Sequence, residues 1–128
     1  MTASGSGAVR SRGRVNDRRE AIVEAWVGGP RQRARTPCVI DTGCSGALAL
    51  PESLAADLGL RYAGSVRARL ADGSIVVLPR YEAEIEWADG KRAILASAVP
   101  AGNALVGTAL LDGRRLVVDY AARTVEVA

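Results

Sequence analysis

A mainly β domain with one or two short helices is what this sequence predicts, and three observations predict it. Residues 66–78 and 82–99 alternate apolar and polar side chains with period two around Asp72-Gly73 and Asp89-Gly90, the pattern of two hairpins. Residues 51–58 show helical spacing: Pro51 opens the segment, Glu52 sits in its first turn, Leu54 and Leu58 lie four apart, and Gly59 ends it. The chain has 128 residues, 48% hydrophobic and 24% charged, which suits one core and is cramped for two.

The elements follow in order. Residues 1–19 are Gly, Ser, Ala and Arg without hydrophobic periodicity, so little apolar area offsets the entropy of ordering them. They read as a flexible tail ahead of a domain at residues 20–128. A first strand spans residues 21–27, with Val23, Ala25 and Val27 on one face and Glu24 and Trp26 on the other, and Gly28-Gly29-Pro30 turns the chain. A second strand runs through Cys38, Val39 and Ile40 to Asp41. Its start is blurred by Pro37, which cannot donate to a ladder.

After the helix at residues 51–58, Val66, Ala68 and Leu70 alternate with Arg67 and Arg69, and residues 75–78 return across the turn. Ala83, Ile85 and Trp87 then alternate with Glu82, Glu84 and Glu86, a charged strand face that reads as solvated rather than as a cation site. An apolar strand follows at residues 93–99. Residues 100–103 break the pattern, 104–106 are apolar, 108–111 form a helical turn, and 116–119 and 124–127 close the domain. An apolar strand, a glycine and a short helix occur in succession twice, at residues 40–58 and 105–111, as a pseudo-symmetric barrel would require.

Composition removes several chemistries. Without a histidine there is no Ser-His-Asp or Cys-His catalysis and no imidazole zinc site, so chemistry falls to carboxylates, thiols, hydroxyls or lysine. Cys38 and Cys44 are too few for a disulfide scaffold and lack Cys-x-x-Cys spacing; they read as reduced thiols in a cytoplasmic protein. No apolar run is long enough to span a membrane. The net charge of +3 is uneven, since residues 1–35 carry eight arginines against Asp17, Glu20 and Glu24. A basic arm on a mildly acidic body, with 4% aromatic residues, argues against a nucleic-acid surface.

Asp41-Thr42-Gly43 places a carboxylate where an apolar strand enters a tight turn. This tripeptide, with Cys44, Ser45 and Gly46 behind it, a helix, a turn-tipped hairpin and Leu105-Val106-Gly107, resembles the retropepsin-like aspartic protease family over about residues 21–127, in particular its small single-domain bacterial members. The resemblance implies a closed β-barrel acting as a homodimer. It implies that Asp41 is the catalytic aspartate, that the Thr42 hydroxyl ties the two catalytic loops together, and that Gly43 is the third motif position. The hairpin tip at Ala71, Asp72 and Gly73 looks like the flap that closes over bound peptide, and Ser45 of the loop is a further substrate contact. Leu105-Val106-Gly107 resembles the element packed beneath the catalytic loop, which makes Gly107 structural.

The implied activity is hydrolysis of peptide bonds by a water held between two aspartates, without metal or organic cofactor. The alternative is a non-catalytic dimerisation or peptide-binding module that keeps the barrel. Both make a homodimer, for which 124–127 is the expected terminal strand at the interface. Cys44 stands where alanine, serine or threonine is usual, and the hairpin tip has one glycine, Gly73, instead of a glycine-rich run.

Overall fold

The computed structural model describes residues 11–88 and 90–128. In chain order the elements are β1 (Ser11–Val15), β2 (Ala21–Gly28), β3 (Arg33–Ile40), β4 (Leu48–Pro51), α1 (Glu52–Asp57), β5 (Arg61–Arg69), β6 (Ile75–Trp87), β7 (Gly90–Val99), β8 (Ala104–Val106), α2 (Thr108–Leu111), β9 (Leu116–Asp119) and β10 (Thr124–Val127). The architecture is mainly β. No helix among the described residues is long and apolar enough to cross a membrane.

Six strands close into a barrel. They run β6-β7-β4-β8-β3-β2, and β2 pairs back onto β6 through Trp26 with Glu86, Val27 with Ile85 and Gly28 with Glu84. Closure leaves these strands no open edge over the paired length. The alternation explains the interior: Val23, Ala25 and Val27 of β2 and Ala83, Ile85 and Trp87 of β6 are buried, while Trp26, Glu82 and Glu84 face water. Val23, Val27, Leu50, Ile85, Val106 and Leu110 are among the fully buried side chains. Each contributes about 1.5–3 kcal/mol relative to exposure. The charged face of β6 is solvated, with Glu86 on Arg33 at 2.8 Å and Glu82 near Arg61 at 3.8 Å.

Two additions extend the barrel. β5 pairs with β6 alone, and β1, β10 and β9 continue outward from β2. Here the expectation of a tail over residues 1–19 is corrected for its second half. Ser11–Val15 pairs with β10 on one side and β2 on the other, and the turn after it is closed by Asn16, whose Oδ1 accepts the N–H groups of Arg18 and Glu20. Residues 1–10 lie outside the described residues, as does Asp89 of the second hairpin turn. The interface strand expected at Thr124–Val127 is corrected as well: β10 has β1 on one edge and β9 on the other, and among the described residues the open edge on this side of the sheet belongs to β9.

Pro37 lies inside β3 without penalty, because β8 joins β3 only from Cys38 onward. Pro51 is the N-cap of α1 and not its first residue. The helix ends as its glycine dictates: Gly59, at φ +62°, donates to the Ala56 carbonyl and Leu60 donates to the Ala55 carbonyl.

Candidate active site

β3 ends where its last rung is made by the Asp41 N–H, which donates to the Val106 carbonyl at 2.9 Å. The chain then turns. Asp41 Oδ1 accepts the Gly43 N–H at 2.9 Å, and the Cys44 N–H donates to the Asp41 carbonyl at 3.1 Å. The carboxylate thus fixes its own loop with one oxygen. Among the described residues no hydrogen bond engages Oδ2. Asp41 is half-buried, while Thr42, Gly43 and Ser45 are exposed and Cys44 is half-buried.

The loop is supported from the second strand–glycine–helix unit. Gly107 donates to Ala47 O at 2.9 Å, Thr108 N–H to Cys44 O at 2.8 Å, and Ala109 N–H to Gly46 O at 3.2 Å. The Thr108 hydroxyl also donates to Cys44 O at 3.2 Å. The first-turn N–H groups of α2, which have no partner inside the helix, are satisfied by the carbonyls of the aspartate loop. Such close approach requires a glycine: a Cβ at position 107 would overlap the Gly46 carbonyl oxygen and sit 2.8 Å from that of Cys44.

Asp41 and Thr42 open onto a cleft of about 410 Å³ whose other walls mix apolar side chains, Val39, Ile40, Leu105, Leu116 and Val118, with Arg19, Glu20 and Tyr120. Leu116 and Val118 belong to β9, which the sequence marks as a strand without showing where it lies. Ser45 and the tip residues Ala71, Asp72 and Gly73 do not line this cleft. They occupy the loop behind Asp41 and the end of the β5–β6 hairpin. At that tip Asp72 Oδ1 accepts the Ser74 hydroxyl at 2.6 Å and the Ser74 N–H at 2.9 Å, and Gly73 turns the chain at φ +88°. The Ser74 side-chain bond, then its backbone bond, hold the Asp72 carboxyl below the usual aspartate range. A larger cleft of about 1170 Å³ lies between the β2–β3 turn and the outer face of β6 and β7, and contains no residue of the aspartate loop.

The two thiols differ. Cys38 is fully buried on β3, its Sγ donating to the Thr36 carbonyl at 3.4 Å. Burial, with a lesser contribution from Glu24, pushes its pKa up to about 12. It is therefore a packing residue and not a nucleophile. Cys38 and Cys44 are both free.

No family model and no curated protein matches the chain. Solved structures do. The crystal structure of a retropepsin-like aspartic protease from Rickettsia conorii superposes with a TM-score of 0.66 at 15% identity, covering 99% of this chain and 96% of that one. The solution structure of Simian Foamy Virus (mac) protease gives 0.52 at 17% identity, covering 70% and 90%. Agreement across the whole length with the first, together with a closed barrel whose two strand–glycine–helix units lock against each other, leads to one conclusion: the chain has the retropepsin-like aspartic protease fold.

Proposed function

We propose that the chain is an aspartic endopeptidase whose catalytic pair is made of Asp41 from each of two identical subunits. The observation that carries this reading is the state of Asp41. It is held at a strand end by its own Oδ1, it lines a cleft of mixed apolar and charged walls, and its second oxygen is left for another partner.

One carboxylate per chain is half of the required machinery. Two carboxyl groups at hydrogen-bonding distance cannot both ionise, a behaviour for which aspartic proteases are the standard case. The ionised member takes a proton from water as the water oxygen bonds to the scissile carbonyl carbon, and the neutral member gives its proton to the carbonyl oxygen. The tetrahedral intermediate collapses as the C–N bond breaks: the amine nitrogen accepts the proton that the first carboxylate took from water, and a hydroxyl of the intermediate returns its proton to the second carboxylate as the C=O bond re-forms. Thr42, exposed beside Asp41, ties the two loops together in the dimer, and Gly43 supplies the N–H that orients the carboxylate. The tip residues Ala71, Asp72 and Gly73, with Ser45, contact the peptide substrate. The reaction uses no metal or organic cofactor. The working unit includes Ser11–Val15 and does not start at residue 20, since β1 is integral to the sheet. A reducing compartment such as the cytoplasm suits its two free thiols.

The test compares wild type with Asp41→Asn. Both should melt at similar temperatures and self-associate alike, while only wild type cleaves a diverse peptide library at mildly acidic pH. Absence of cleavage by wild type over a broad pH range defeats the reading and leaves a peptide-binding module.

A further inference from the structure

The β5–β6 hairpin carries a charged surface that the proposed chemistry does not use. β6 pairs with β7 only over Arg80–Trp87, so residues 75–79 have β5 as their single neighbour, and β5 itself ends the sheet. Among the described residues, 65–79 therefore form a two-stranded arm with both edges open. Directly paired residues share a face. Arg67 pairs with Val77 and Arg69 with Ile75, so these four lie together; Val66, Leu78, Ala68 and Val76 lie on the other face. The aliphatic face is half-buried, and the arginine face is exposed.

Exposed Ile75 and Val77, at 46% and 65%, flank two guanidinium groups. Neither arginine has a carboxylate partner among the described residues; Arg69 donates only to the Gly73 carbonyl at 3.2 Å. The nearby acid, Asp72, is engaged by Ser74. A pair of uncompensated cations set among aliphatic side chains beside open strand edges matches a ligand that is extended, anionic and partly apolar.

We propose that this arm selects substrates by charge, binding extended peptides that carry two carboxylates on alternate residues. The inference rests on the peptidase reading for why an extended peptide arrives there. Arg67 and Arg69 are two residues apart on one strand, about 6.6 Å along its axis. Alternate side chains of an extended peptide repeat at the same interval. An acidic-x-acidic segment therefore places one carboxylate opposite each guanidinium, with its backbone along an open edge of the arm.

Three peptides with one apolar core, flanked by Glu-x-Glu, Gln-x-Gln or Lys-x-Lys, test this. Wild type is assayed for hydrolysis, and Asp41→Asn for binding by fluorescence anisotropy, so that binding is read without turnover. The acidic peptide should be cleaved and bound about tenfold better than the neutral one, with the advantage shrinking as salt is raised. Arg67→Gln/Arg69→Gln should abolish the preference while still cleaving the neutral peptide, and Arg67→Glu/Arg69→Glu should transfer it to the lysine peptide.

Equal treatment of the three peptides, or a preference that survives both double variants, overturns the inference and leaves the peptidase reading intact. If wild type cleaves none of them, the peptidase reading falls, and the binding ratio still decides the charge selection. Tighter binding of a single-stranded oligonucleotide than of the acidic peptide would also overturn it.

Discussion

A methyl group at position 107 would occupy the space of the Gly46 carbonyl oxygen, and the N–H of residue 107 would be pushed from Ala47. Gly107→Ala should destabilise the fold by about 1–3 kcal/mol in urea titration. Hydrolysis should fall further than the stability loss explains, because the loop that aims Asp41 moves. Cys38 gives a pH prediction. A thiol whose folded pKa lies near 12 and whose unfolded pKa is lower binds its proton more tightly when folded. Its stabilising effect is complete below the unfolded value of about 8.5 and is lost as pH rises toward 12. Stability of wild type should thus decline over that alkaline window, and Cys38→Ala should flatten the decline while costing stability at all pH values. At this scale the motif residues were legible, since Asp41, Gly43 and Gly107 carry a local pattern. The bonds from α2 to the Cys44 and Gly46 carbonyls were not, because main-chain partners more than sixty residues apart leave no trace in side-chain identity.

The hairpins follow directly from period-two alternation and Asp-Gly turns, and both were readable as elements. What the alternation hides is that Ile75–Trp87 is a single strand of 13 residues serving two hairpins, one in the arm and one in the barrel wall. The sign of the Asp72 shift says how the arm behaves in acid. A carboxyl held below its ordinary value contributes to turn stability above the unfolded pKa, and loses that contribution only as pH falls through the lower folded value. The tip therefore keeps its Asp72–Ser74 bonds throughout the mildly acidic range in which an aspartate pair works. Ser74→Ala should return the Asp72 titration, followed by carboxyl NMR, toward the free-aspartate value, and should make the tip amides exchange faster with solvent. An unchanged Asp72 titration would remove Ser74 as the cause. β1 shows the opposite limit of legibility. Its arginines and glycine have no strand pattern, and its order comes from β2 and β10 on its two edges and from Gly13 lying against the Ile22 backbone.

At the scale of the whole molecule, closure of β2 onto β6 joins residues some sixty apart and had no local signal beyond two inward-facing apolar sets. For the dimer proposed above, the same topology offers the β9 edge to a second copy. Arg115 and Ala128 exchange both main-chain bonds, at 2.8 and 2.9 Å. In an antiparallel ladder hydrogen-bonded pairs alternate, so Val117 and Asp119 point their N–H and C=O groups toward β10, and Leu116 and Val118 point theirs to the open edge. The side chains of Leu116 and Val118 also wall the Asp41 cleft. An interface along this edge would therefore include residues that line the Asp41 cleft while covering unpaired strand groups, so that the proposed self-association would reach the proposed catalytic site. Val118→Pro removes an outward-facing donor without breaking a bond to β10. It should leave the circular dichroism of the folded chain unchanged, shift sedimentation from dimer to monomer, and reduce peptide hydrolysis by roughly tenfold or more at fixed protein concentration, with recovery as concentration is raised. A variant that remains dimeric and fully active would move the interface to another surface.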